Sequence, residues 1–103
     1  MMFDSAQDFM TSAVNDEAPP AGLSPEAMAI WHARAGNWET SHDIAQDIDT
    51  KFGSWIHAHL HLIEGDLSNA SYWYARAGRP AMTPKEIPDD WFALAKAAIA
   101  AAQ

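Results

Sequence analysis

Glycine punctuation constrains this chain more than any other feature. Gly36 is followed by Asn37, Gly65 by Asp66, and Gly78 by Arg79 and Pro80, each at the end of a stretch with helical apolar spacing. A glycine that stops one helix, followed at once by a side chain able to cap the next, leaves room only for a tight turn. Consecutive helices must therefore fold back on one another. The pattern predicts a helix from Pro25 to Ala35, opened by Ser24, and a second helix capped by Asn37 with inward positions at Trp38, Ser41, Ala45 and Ile48. Lys51, Phe52 and Gly53 read as a short linker. Ser54 then caps "WIHAHLHLIE", Gly65 stops it, Asp66 caps "LSNASYWYARA", and Gly78 with Pro80 closes that helix. Two helical hairpins result, occupying repeat-like units 25–50 and 54–80.

The flanks add one helix each. Residues Ser5 to about Val14 suit a short helix, with Asp4 or Ser5 as its cap, and "NDEAPPAG" ends it. Near the other end, Thr83, Pro84 and Glu86 resemble a capping box that Pro88 interrupts, and a final helix runs from about Pro88 to Ala102. No alternating stretch of useful length and no hairpin turn signal is present, which argues against strands. The expected fold is all-α: two stacked helical hairpins with flanking N- and C-terminal helices, in a single domain over residues 1–103.

"ARAG" occurs at 33–36 and again at 75–78, but the copies are out of phase with the hairpins. The first closes the opening helix of its pair and the second closes the returning helix of the next. The repeat lies instead at an offset of 29 residues, which sets Gly36 against Gly65, Ala29 against Ala58, His32 against His61, and Ser41 against Ala70. On Gly65, Leu67, Ala70, Tyr74, Ala77 and Pro80, with Gly36, Trp38, Ser41, Ala45 and Ile48 in the first unit, residues 25–80 resemble the tetratricopeptide family with shortened repeats. That resemblance implies stacked antiparallel helix pairs presenting a face to a peptide, and it implies no chemistry. Two pairs are fewer than the usual minimum of about three, so capping by the flanking helices or dimerisation is expected. The run "WIHAHLHLIEGDLSNASYWYARAGRP" also resembles a bacterial family of small helical proteins to which no activity is assigned.

Chemistry concentrates in "HAHLH". On a helix His57 and His61 share a face with Glu64, while His59 points elsewhere, beside Trp55 and Leu62. Two imidazoles and a carboxylate so placed could hold zinc or another divalent ion, above all if His42 or His32 arrives from the first hairpin. The spacing is not the zincin pattern, because no glutamate follows the first histidine. Polar contacts between helix pairs account for the same residues without a metal. In "SYWYARA", the small Ala70 and Ala77 mark the inward stripe, so Tyr74 packs, Trp73 lies beside the stripe and Tyr72 is the more exposed. Arg34 and Arg76 each precede a stopping glycine by two residues, where a cation suits the helix dipole, and Arg76 could also pair with Glu64 or Asp66.

Composition narrows the partners. Six Lys and Arg against fourteen Asp and Glu give a net charge of -8, which repels a phosphate backbone and argues against nucleic acid. There is no cysteine, no apolar run of membrane-spanning length and no basic, apolar leader, so a cytoplasmic, complete soluble chain is expected. The first functional expectation is a non-catalytic helical interaction module or small homo-oligomer without a cofactor. It would bind a protein or peptide, or itself, through Trp55, Tyr72, Trp73 and Arg76. The alternative is a divalent-metal-binding protein or metal-dependent enzyme using His57, His61, Glu64 and His42.

Overall fold

The computed structural model describes residues 5–101, and the order of its helices follows from where oxygen acceptors meet free backbone N–H groups. Ser5 Oγ accepts from the Asp8 N–H at 3.2 Å and opens α1, Ala6–Asn15. Ser24 Oγ accepts from Ala27 at 3.1 Å and opens α2, Pro25–Ala35, a contact worth about 1 kcal/mol. The left-handed Gly36, φ 88°, ends α2, and α3 runs over Trp38–Gln46. Thr50 Oγ1 accepts from Gly53 at 3.0 Å and opens α4, Lys51–Glu64, which ends at the left-handed Gly65. Asp66 caps α5, Leu67–Arg76. A 3-10 turn at Pro84–Glu86 then leads into α6, Ile87–Ala101. No strand occurs among the described residues, and none of their helices is long and apolar enough to cross a membrane.

Local chemistry corrects several expected boundaries. Thr50, not Ser54, caps the histidine-bearing helix, so Lys51, Phe52 and Gly53 form its first turn and not a linker. Asn37 makes no capping bond, because its amide turns back to His32 Nδ1 at 3.1 Å. Glu86 Oε1 accepts from the Thr83 N–H at 2.8 Å, completing the capping box, and Pro88 falls in the first turn of α6, where a missing N–H costs nothing. Asp4 and the expected end at Ala102 lie outside the described residues.

The helices pair as the glycines require: α2 lies on α3, α4 on α5, and α3 on α4 joins the two hairpins. The flanking α1 and α6 pack on each other and on α2, and α6 also covers α4. Small residues stand where backbones approach, with Ala29, Ser41, Ala45, Ala58 and Ala70 all buried and Ser41 Oγ donating to the Ala29 carbonyl at 2.6 Å. Large side chains fill the layer between: Phe9, Ile30, Trp31, Ile56, Leu60, Tyr74, Trp91 and Leu94. Four indoles donate across elements, Trp31 to Ser12 Oγ, Trp38 to the Leu60 carbonyl, Trp55 to Asp90 and Trp91 to the Ile30 carbonyl, so each of these rings is fixed at its polar end.

Gly53 shows how tight the junction is. A Cβ built on it would stand 2.0 Å from the Ile48 carbonyl oxygen and 2.8 Å from the Ile48 side chain. Gly53→Ala should gain about 1 kcal/mol of helix propensity yet force the turn between α3 and α4 apart, at a cost of about 1–3 kcal/mol. Urea unfolding should therefore show a net loss of up to about 2 kcal/mol. A stabilised variant would contradict this account of the junction.

Candidate metal centre

The site is built on α4 by two periodicities that disagree. In "HAHLH" the histidines recur every second residue while the helix turns every 3.6, so His57 and His61 fall on one face and His59 on another. The α3 helix brings His42 against the first face. His42 Nε2 lies 3.0 Å from His57 Nε2, the His57 and His61 ring centroids are 4.9 Å apart, and the ligand atoms of His42, His57 and His61 all lie within 4.8 Å of one another. Two nitrogens bound to one tetrahedral zinc at 2.0–2.1 Å stand about 3.4 Å apart. The His42 and His57 nitrogens are within a few tenths of an ångström of that separation.

Aromatic rings hold the imidazoles in place. Trp38 stacks on His42 with centroids 4.8 Å apart, and its own N–H is anchored on the Leu60 carbonyl. Trp73 stacks on His57 at 3.9 Å and 9° between planes. Both ligating helices are thus fitted with an aromatic wall behind the histidine, which restricts ring rotation and excludes water. Burial, with His42 and His61 adding to it, pushes the His57 imidazole down to about 4. At neutral pH His57 is therefore uncharged and keeps a lone pair available for a ligand bond.

Glu64 does not join the other three nitrogens. Its Oε1 lies 2.5 Å from His61 Nδ1, while His61 Nε2 lies 3.4 Å from the Asn69 side-chain amide nitrogen. A carboxylate that accepts from Nδ1–H favours the tautomer with its lone pair on Nε2, the usual second-shell arrangement of a histidine that binds a metal. His61, Glu64 and Asp66 also come within ligand distance of one another, but Glu64 and Asp66 are exposed and Asp66 already caps α5. The four predicted metal residues are thus brought together in a divided form, three imidazoles on one side and Glu64 behind His61. His32, the other histidine of the first hairpin, bonds Asn37 and lies edge-on to Trp31, apart from the cluster.

A polar cleft of about 90 Å³ opens beside His57, lined among others by Gln46, Asp49, Ser54, Trp73 and Arg76. Of the predicted interaction residues, Tyr72 is exposed, Trp73 is half-buried against His57, and Arg76 lies over both rings with its guanidinium 3.3 Å from the Tyr72 hydroxyl, in place of an ion pair to Glu64 or Asp66. Trp55 is buried. Its ring carries the Arg79 guanidinium at 3.6 Å and its N–H donates to Asp90 at 2.9 Å, so only its edge reaches the surface.

Sequence reasoning missed Asp90. This carboxylate is 2% exposed and accepts from Trp55 Nε1, His59 Nδ1 at 2.8 Å and the Tyr74 hydroxyl at 2.5 Å. Burial pushes it up, but the bonds from His59, Tyr74 and Trp55 outweigh burial and hold it below the ordinary carboxylate range. Burial and the Asp90 contact in turn raise the Tyr74 phenol, which stays protonated. No spacing in the sequence points to Asp90, which reads as one of two acids in the first turn of a helix.

The His57 environment makes the metal-free chain acid-sensitive. Unfolded, this imidazole takes its proton near pH 6.5, and folded, near pH 4, so between those values the unfolded chain binds the extra proton. The stabilisation is complete above about pH 6.5 and is lost as pH falls to about 4, roughly 3 kcal/mol in all. Urea midpoints of wild type and His57→Gln should diverge in slope across that window. Parallel curves would place the proton elsewhere. The chain matches no protein-family model, no curated protein and no solved structure, so the chemistry of the site rests on its own atoms.

Proposed function

We propose that this chain is a helical protein that binds one divalent ion, zinc foremost, through His42, His57 and His61. The observation that carries the reading is the convergence of three imidazoles from two hairpins, one of them 3.0 Å from its neighbour and another backed by a carboxylate on its far nitrogen. An all-nitrogen, borderline-soft set suits zinc, copper or nickel over magnesium and calcium, which take oxygen ligands. Three protein ligands leave a position for water or an exogenous group. Two further proposals are compatible with this one. The hairpins form a shortened tetratricopeptide-like stack, and the exposed Tyr72, held by Arg76, is the surviving candidate for contact with a protein partner.

Chelator-stripped, untagged protein should bind one zinc ion per chain in a calorimetric titration, and at a hundredfold excess over Kd the ion should raise stability by about 2.7 kcal/mol. His42→Ala, at a half-buried position, should weaken binding by about 100-fold or more. Glu64→Gln should weaken it by about 10–100-fold. Asp66→Asn should leave it within about twofold, which separates this site from the exposed His61, Glu64 and Asp66 group. Failure of zinc, copper and nickel to bind, or a His42→Ala variant that binds like wild type, would end the proposal.

A further inference from the structure

Where α4 begins and α5 ends, two cations come together, and neither has an acidic partner among the described residues. Thr50 caps α4, so Lys51 stands in its first turn. The left-handed Gly78, φ 73°, turns the chain so that the Arg79 N–H donates to the Tyr74 carbonyl at 3.0 Å. The Lys51 ammonium reaches this same turn, since a Cβ built on Gly78 would stand 4.0 Å from its Nζ. Arg79 lies with its guanidinium 3.6 Å from the centre of the Trp55 ring. Its Nε is shut away from solvent, but the two Nη nitrogens are not, and they make no hydrogen bond among the described residues. The chain has fourteen acids to six Lys and Arg, yet both of these cations are left to solvent.

Lys51 and Arg79 line one open cleft of about 230 Å³ with Phe52, Trp55, Ala77 and Ala97. The rest of the lining is apolar, and no acid among the described residues belongs to it. An apolar cavity of about 150 Å³ takes a benzene-sized body, so this cleft has room for one with a charged group attached. The two parts of the lining ask for two parts of one ligand. Phe52, Trp55, Ala77 and Ala97 give an apolar body a surface on which to leave water. The forked Nη pair of Arg79 matches a carboxylate, and Lys51 adds a point charge beside it. Inorganic phosphate would use the cations and leave the apolar wall wet, and a neutral alcohol would do the reverse.

We propose that this cleft binds a small organic acid, its carboxylate held by Arg79 and Lys51 and its apolar body, of about six carbons, laid against Phe52, Trp55 and Ala97. The Nη nitrogens are accessible as they stand, so binding needs no opening of the contact between Trp55 and Asp90. No imidazole of the proposed metal centre lines the cleft, and the site stands whether or not that centre holds an ion.

The test titrates the full, zinc-free chain with benzoate, hexanoate, acetate, benzyl alcohol and inorganic phosphate, while nitrogen-15 spectra follow the Arg79 guanidinium and the Trp55 indole N–H. Benzoate or hexanoate should bind about tenfold or more tighter than acetate, phosphate and the alcohol, and should move both sets of resonances. Arg79→Gln should cost about tenfold or more in that affinity, and Lys51→Gln, at an exposed position, about two- to fivefold. Ala97→Phe fills the cleft and leaves both cations in place, so it should abolish binding with the helical spectrum retained. Acetate or phosphate binding as tightly as the larger acids would reduce the site to a bare charge and overturn the proposal. So would benzyl alcohol binding as tightly as benzoate, an Ala97→Phe variant that binds like wild type, or no binding by any probe.

Discussion

A single buried carboxylate fixes how the last helix sits on the rest of the chain. Asp90 takes one hydrogen bond from α5 through Tyr74 and two from α4 through Trp55 and His59, and it contributes the anion from α6. Burying a lone carboxylate costs several kcal/mol, and only a full set of donors offsets it. Here three donors converge, and the Arg79 guanidinium lies over the Trp55 ring. Directional bonds of this kind allow one docking of α6 where apolar contact alone would tolerate several. They also set the rotation of α4 about its own axis. With Trp55 and His59 held toward α6, the face that carries His57 and His61 must turn to α3 and α5.

That rotation explains why a helix can be buried from Trp55 to Leu62 and still carry three histidines. Each imidazole meets a polar partner supplied by a different element: Asp90 on α6 for His59, His42 on α3 for His57, and Glu64 with Asn69 for His61. The solutions differ in kind. His59 is paired with an anion, whereas His57 faces two other imidazoles, an arrangement that tolerates little positive charge. Burial and these neighbours disfavour its protonated form. His57, kept neutral in this way, retains a lone pair that a bound cation would use.

Much of this was legible in the chain, and the boundary between legible and hidden is physical. Helix order followed from glycines and caps, because those signals act over three or four residues. The i, i+4 pair of His57 and His61 was likewise local, and the sparse match of Ser41 with Ala70 identified two positions where helices do approach. Three readings failed where a local signal had an equal competitor a few residues away. Thr50 and Ser54 are both capping residues, Asn37 could turn forward to its helix or back to His32, and Glu64 could face the cluster or the outer nitrogen of His61. The sequence offered His42 or His32 as the histidine from the first hairpin, with His42 preferred, and tertiary packing brings His42 against His57. Asp90 and the fate of Trp55 were beyond reach, because their pairing crosses 35 residues and no periodicity encodes it.

The proposed ion would act at the seam between the two hairpins. The flanking helices cover the first hairpin and α4. The seam between the hairpins is α3 against α4, and the turn that joins them tolerates no Cβ at Gly53. His42 belongs to the first hairpin, and His57 and His61 to the second. Ligation by all three therefore bonds the hairpins to each other, beside the Trp38 donation to the Leu60 carbonyl that already crosses the same seam. A metal placed within one helix would stabilise only that helix. Placed here, its binding energy would act on the packing of one half of the chain against the other, so ion occupancy and the integrity of the fold would become one equilibrium.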